Sequence, residues 1–198
     1  MRWDNLFDDL ESQLEHELDA EEIDLRAEEE RLRLARLTVR DRLMSVAESD
    51  GAPIAMRLTD GRAVAVRPVT FGKDWFAADL IAPAASRSGS DQIVVPLAAI
   101  ASITLTDATL PASTAEAAGP RSRLVDRLGL AFVLRDFCRR RAAVSIGTGE
   151  SEVHGTIDRV GRDHVDLAVH EPGSTRRAAN VTELRIVPLA TIVLLRVR

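Results

Sequence analysis

Apolar residues near the N-terminus fall at Trp3, Leu6, Phe7, Leu10, Leu14 and Leu18, steps of three and four that align them on one stripe of a helix. Asp4, Asp8, Asp9, Glu11, Glu15 and Glu17 take the other side. Carboxylates in a first helical turn also suit the positive end of the helix dipole. Asp19 followed by Glu22 reads as a capping box opening a second helix that runs to about Glu48. Leu25, Leu32 and Val39 in it repeat every seven residues, but Glu21, Glu28 and Arg42 occupy the alternate seam positions, which argues against a long coiled coil. From Leu32 to Ala47 the apolar face widens (Leu34, Leu37, Leu43, Met44, Val46), as it does in a helix packed on a following domain.

After Asp50-Gly51 the period changes to two. Ile54–Leu58, Ala63–Val69, Trp75–Ile81, Ile93–Leu97 and Ile100–Leu105 read as five short strands, separated by Thr59-Asp60-Gly61, Gly72-Lys73-Asp74 and a Pro/Ser/Gly loop over 83–91. Residues 107–121 are rich in Ala, Ser, Thr, Pro and Gly and read as a linker. A helix over about 122–141 follows, and then the strand pattern repeats over 144–146, 152–160, 164–170, 184–188 and 192–197. The two runs match in sequence. Val95-Pro96-Leu97-Ala98-Ala99-Ile100 returns as Val187-Pro188-Leu189-Ala190-Thr191-Ile192, and Gly72-Lys73-Asp74-Trp75 lines up with Gly161-Arg162-Asp163-His164. The chain thus carries an internal duplication.

Copies of roughly 60–70 residues have cores that are only marginally self-sufficient, so they are expected to lean on each other or on another chain. The run Ile186 to Val197 is an edge that needs covering, and Pro188 within it cannot donate to a strand ladder. Pairing between the two copies or within a homodimer is therefore expected, not a large open ring. The charge is uneven. Residues 1–50 hold 7 basic and 16 acidic residues, whereas residues 120–198 hold 14 and 9, in a chain of net charge −5. Such asymmetry fits a polyanionic partner for the basic half or an acidic arm that folds over it. The single Cys138 excludes an intramolecular disulfide framework. No run reaches the length of a membrane span and the N-terminus lacks a basic-then-apolar signal, so no membrane insertion and a cytoplasmic location are expected.

One helix followed by five short bent strands is the plan of Sm-like domains. The second copy resembles one through Val153-His154-Gly155-Thr156-Ile157-Asp158-Arg159-Val160-Gly161-Arg162-Asp163-His164-Val165-Asp166-Leu167-Ala168-Val169. In that motif a glycine bends the second strand and an aromatic-or-His, apolar, Asn triplet opens the third, here His164, Val165 and Asp166. The first copy resembles it more loosely over 32–105. The opening Met1-Arg2-Trp3-Asp4-Asn5-Leu6-Phe7-Asp8-Asp9-Leu10-Glu11 resembles that of an uncharacterised actinobacterial family, which implies no activity.

The resemblance implies a mainly β protein with helices (α+β): an acidic helical arm (1–30), a first Sm-like domain (31–106), a linker (107–121) and a second Sm-like domain (122–198), each domain a helix plus a five-stranded small barrel. RNA-binding members of this group (LSm and Hfq types) carry an Arg-Gly or Lys-His pair where this chain has Val-Pro. Asp166 stands for the motif Asn, and its oxygens only accept hydrogen bonds.

The reading that follows is a non-enzymatic adaptor or assembly protein without a cofactor. Trp3, Leu6, Phe7, Leu10, Leu14 and Leu18 are its candidate partner-binding residues, and a protein partner or self-association is expected. The alternative is RNA or DNA binding through Arg139, Arg140, Arg141, Arg162, His164, Arg176 and Arg177. Trp75 and His164 would then stack on bases; otherwise both pack locally. His154, His164 and His170, with Asp158, Asp163, Asp166 and Glu171, have no recognised metal-ligand spacing, and Cys138 has no evident base beside it.

Overall fold

A computed structural model describes residues 21–49, 51–81, 91–115, 124–149 and 151–197. The chain divides into two compact units, 1–38 and 39–198. In the first, residues 21–36 form α1, whose surface carries the i,i+3 and i,i+4 pairs Arg26–Glu22, Arg31–Glu28 and Arg33–Glu30. The helix expected to run unbroken to Glu48 ends at residue 36, and α2 begins anew at Val39. The segment from Trp3 to Leu18 and the capping residue Asp19 lie outside the described residues.

The second unit contains α2 (Val39–Ser49), β1 (Ile54–Leu58), β2 (Ala63–Phe71), β3 (Trp75–Leu80), β4 (Gln92–Pro96), β5 (Ile100–Thr104), α3 (Leu110–Thr114), α4 (Leu130–Arg140), β6 (Ala143–Thr148), β7 (Glu152–Val160), β8 (His164–Val169), β9 (Glu183–Pro188) and β10 (Ile192–Val197). The strands occupy the segments that period-two patterning marked. The duplication holds in plan: α2 and α4 have 11 residues each, β2 and β7 nine, β3 and β8 six, and the other three strand pairs differ by one residue. Pro68 in β2 and Ile157 in β7 flank bulges at equivalent places, which bend both strands. The shared Val-Pro-Leu-Ala phrase has one geometry. Pro96 and Pro188 are extended at φ −62°, and each opens a single 3₁₀ turn that reverses the chain from the fourth strand into the fifth.

The two closed five-stranded barrels expected from the resemblance are not formed. The ten strands make one open antiparallel sheet in the order β5-β1-β2-β3-β4-β10-β6-β7-β8-β9. Closure would require β4 to meet β5 and β9 to meet β10. Instead the backbone edge of β4 is taken by β10, the last strand of the other copy, with Leu195 opposite Val94, Arg196 opposite Ile93 and Val197 opposite Gln92. The expectation of pairing between copies is met at this seam, and the paired stretch stops at Val94, short of Pro96.

Two further sequence readings change. The expected linker contains α3, whose buried Ser113 accepts a hydrogen bond from Arg42 Nη2 at 2.9 Å. The expected continuous helix over 122–141 is a 3₁₀ turn (Leu124–Arg127) and α4, separated at Leu128-Gly129.

Two hydrophobic cores result. The first gathers Leu43, Met56, Leu58, Phe76 and Val95; the second gathers Leu134, Ile146, Ile157, Leu167 and Val187. Each borrows from the other copy: Val193 and Leu194 of β10 lie in the first core, and Trp75 and Val94 of β3 and β4 in the second. Gly155 leaves no room for a side chain between β7 and β8, since a Cβ there would stand 2.3 Å from the Ala168 carbonyl oxygen.

Candidate functional site

The seam between the copies shows what this repeat unit does with its edges. Beside the β4–β10 ladder, the turn Gly72-Lys73-Asp74 of the first copy grips the start of α4 in the second. The Lys73 backbone N–H and Trp75 Nε1 both donate to the Leu128 carbonyl at 2.9 Å. Gly129, at the N-cap of α4, has no side chain to cap it, and Asp74 Oδ1 does so from the other copy by accepting the Leu130 N–H at 2.8 Å. Arg40 of α2 ties the same corner, donating to the Gly72 carbonyl and to Asp126, both at 2.7 Å. Gly72 is obligatory here: a Cβ would stand 2.1 Å from Trp75 Nε1. Trp75 therefore packs as a seam residue, 5% exposed, and not as a base-stacking platform.

At the two ends of the sheet the same parts have no counterpart within the described residues. β9 pairs with β8 alone and β5 with β1 alone. Leu184 and Ile186 on β9 are 73% and 69% exposed. A cleft of about 550 Å³ runs along this strand, lined by Ile146, Val153, Ile186, Val187 and Val193 among others. The turn equivalent to Gly72–Trp75 is Gly161–His164, at the far side of the second copy. Its Asp163 side chain is 85% exposed and, among the described residues, holds only His164 Nδ1, at 2.8 Å. That contact keeps the Asp163 carboxyl below its ordinary range.

The basic residues singled out in the sequence do not form one free patch. Arg139 and Arg140 both pair with Asp136, at 2.7 Å each. Arg141 and Arg176 converge on Asp158: Arg141 Nη1 donates to Oδ1 at 3.1 Å, and Arg176 is bidentate, with Nε to Oδ1 at 3.0 Å. The Arg176 guanidinium, with Arg141 beside it, holds the Asp158 carboxyl below its usual value against the opposing effect of burial. Arg141 sits in the left-handed region (φ 52°) at the C-terminus of α4, where its N–H and that of Ala142 cap the Cys138 and Phe137 carbonyls. Arg162 and Arg177 are exposed. Asp158 thus already takes one of the N–H donors of Arg141 and two of those of Arg176, and its charge offsets part of what they would offer a phosphate.

The imidazoles are engaged structurally. His154 Nδ1 meets Ser145 Oγ at 3.0 Å, and the buried His170 bridges Thr156 Oγ1 (2.9 Å) and Ser174 Oγ (3.2 Å). The Cys138 thiol donates to the Asp158 carbonyl at 3.3 Å. The partner-binding stripe Trp3, Leu6, Phe7, Leu10, Leu14 and Leu18 falls outside the described residues.

Comparison of the chain with protein-family models, curated proteins and solved structures finds no match. Sequence reasoning missed the roles of Asp74 as a helix cap, of Asp158 as the partner of Arg141 and Arg176, and of Asp163 as the partner of His164. The signal for Asp74 and Asp163 was present, because both sit one residue after the matched Gly-Lys/Arg of the repeat. Nothing along the chain marked Asp158 as the partner of Arg176.

Proposed function

We propose that this chain is a non-enzymatic adaptor or assembly protein that acts through protein–protein contacts, with β9 as its principal contact strand. The observation that carries the reading is an edge strand with two large bare apolar side chains, Leu184 and Ile186, beside an open cleft. An uncovered edge of this kind presents unpaired backbone donors and acceptors together with apolar surface, the combination used in β-strand addition. In this reading the acidic amphipathic sequence from Trp3 to Leu18 is a second contact element.

The test is crosslinking with mass spectrometry in extracts of the source organism, with and without nuclease. The full chain, an Ile186→Asp variant and a chain lacking residues 1–18 are compared. Nuclease-resistant crosslinks from residues 183–188 to protein, lost in Ile186→Asp, support the reading. Crosslinks that vanish with nuclease, or that ignore both changes, refute it.

The second reading is RNA or DNA binding by the basic copy, supported by the exposed Arg159, Arg162 and Arg177, none with an ion pair to a described residue. It requires salt-sensitive binding of mixed RNA or DNA that Arg139→Glu with Arg140→Glu weakens. Absence of binding at low salt removes it.

A further inference from the structure

We infer that the first copy holds a binding site for a short aliphatic carboxylate, in the gap between α2 and β5, with Arg42 as the partner of the anion. The gap lies at the β5 end of the strand order, opposite β9, and its occupation is independent of the adaptor reading.

The helix supplies most of the wall. Val39, Arg42, Leu43 and Val46 follow the spacing i, i+3, i+4, i+7 and share one face of α2. Ile103 in β5 and Leu105 just after it complete the lining of a cavity of about 210 Å³. Its walls are aliphatic except for one guanidinium.

The duplication provides an internal comparison. α2 and α4 are each 11 residues long, and aligning Val39 with Leu130 brings Leu43 onto Leu134, 1% and 0% exposed. Arg42 then matches Val133, and Val46 matches Phe137. The corresponding face of α4 is apolar throughout, and Val133 and Phe137 pack against the second core. On α2 a valine stands for the phenylalanine and a guanidinium for the valine, and both border the cavity. Missing volume beside a core lowers stability, and a charge in an apolar wall lowers it further unless it is paired. Both departures fall at one place.

The described residues leave Arg42 under-satisfied. Nη2 donates to Ser113 Oγ at 2.9 Å, a neutral acceptor whose own proton goes to the Leu110 carbonyl at 2.8 Å. Nε is buried without a hydrogen-bond partner, and among the described residues no carboxylate forms an ion pair with this guanidinium. A planar fork of N–H donors suits a carboxylate, and one positive charge matches one negative. The volume sets the tail. An apolar cavity of about 150 Å³ takes benzene, so this one suits a chain of about six to eight carbons. The carboxylate meets Arg42, and the tail lies along Leu43, Val46, Ile103 and Leu105.

Titration calorimetry and amide NMR of the full chain with octanoate, octanol and octylamine test this. Octanoate should bind saturably, with amide shifts concentrated in α2 and at Ile103 and Leu105. Octanol should bind about tenfold more weakly, through loss of the charge-assisted bond, and octylamine not at all. Arg42→Met should remove the preference for octanoate over octanol while leaving octanol bound. Val46→Phe, which copies the second repeat, should abolish binding of both.

Leu105→Phe fills the cavity from the sheet side and replaces Val46→Phe if that variant melts less cooperatively than the parent. No saturable binding of octanoate, equal affinity for all three probes, shifts confined to other elements, or binding untouched by Arg42→Met each overturn the inference. Octanoate that binds only when Leu10→Asp and Leu14→Asp are also present would give the cavity to this chain's own N-terminal segment and overturn it too.

Discussion

Asp74 and Asp163 are the same residue of the repeat in two circumstances, and removing each in turn separates seam energetics from surface electrostatics. Asp74 Oδ1 supplies the only side-chain cap that α4 has among the described residues, at 2.8 Å from the Leu130 N–H, because Gly129 cannot provide one. Replacing a capping residue with alanine costs typically about 1 kcal/mol, within a range of roughly 0.5–2. The carboxylate's interaction with the helix dipole is contained in that figure, and the exposed setting keeps the loss from reaching its upper end. With a urea m-value near the upper end for small proteins, about 3 kcal/mol/M, the midpoint of Asp74→Ala should fall by about 0.3 M.

Asp163→Ala removes only an exposed contact with His164 and should stay within about 0.5 kcal/mol of the parent. Asp74→Asn keeps an acceptor oxygen but loses the charge, and should fall between parent and alanine. The assay is urea unfolding followed by far-ultraviolet circular dichroism, at a concentration where the chain sediments singly. An unchanged midpoint for Asp74→Ala, or equal losses at both positions, would refute the reasoning. The cap would then contribute nothing, or the repeat's turn would be stabilised without reference to α4.

Gly155→Ala drives a methyl group to 2.3 Å from the Ala168 carbonyl, so β7 and β8 must part; the expected loss is about 3 kcal/mol, read in the same melts. Asp158 gives a pH signature. Its carboxyl is held below the ordinary 3.8 in the folded chain, chiefly by Arg176, so its contribution is complete above 3.8 and disappears as pH falls through the lower folded-state value. Asp158→Asn should therefore cost about 1 kcal/mol at neutral pH, and the gap to the parent should close in acid. A gap that is flat with pH would show that the carboxylate's charge is not what Arg141 and Arg176 hold.

The strands and the duplication were legible because both are local or repeated signals. Alternation such as Ile54-Ala55-Met56-Arg57-Leu58, buried at every other residue, is written in side chains. Pairing between β4 and β10 is not, because the groups that pair are backbone N–H and C=O, which every residue carries. Pattern alone therefore left two barrels and one open sheet equally consistent with the same strands, and the family resemblance tipped the expectation the wrong way. The basic cluster failed for a related reason. Asp136 with Arg139 and Arg140 is a helical spacing readable in one dimension, whereas Asp158 meets Arg176 only after β7 and the loop beyond β8 come together. Bare Ile186 was half visible: the run from Ile186 to Val197 stood out as an edge needing cover, but β10 is covered and β9 is not.

The loan of Val193 and Leu194 to the first core also governs when that core can exist. Residues 54–104 contain all five strands of the first copy, yet its core includes Val193 and Leu194 of β10, the last strand of the sheet in chain order. During synthesis the first half must therefore wait with an open core and an uncovered β4 edge until the second half has been made and has emerged. For that interval β4 is as bare as β9 is in the finished chain, and the chain is open to mispairing with any neighbour that offers a fifth strand.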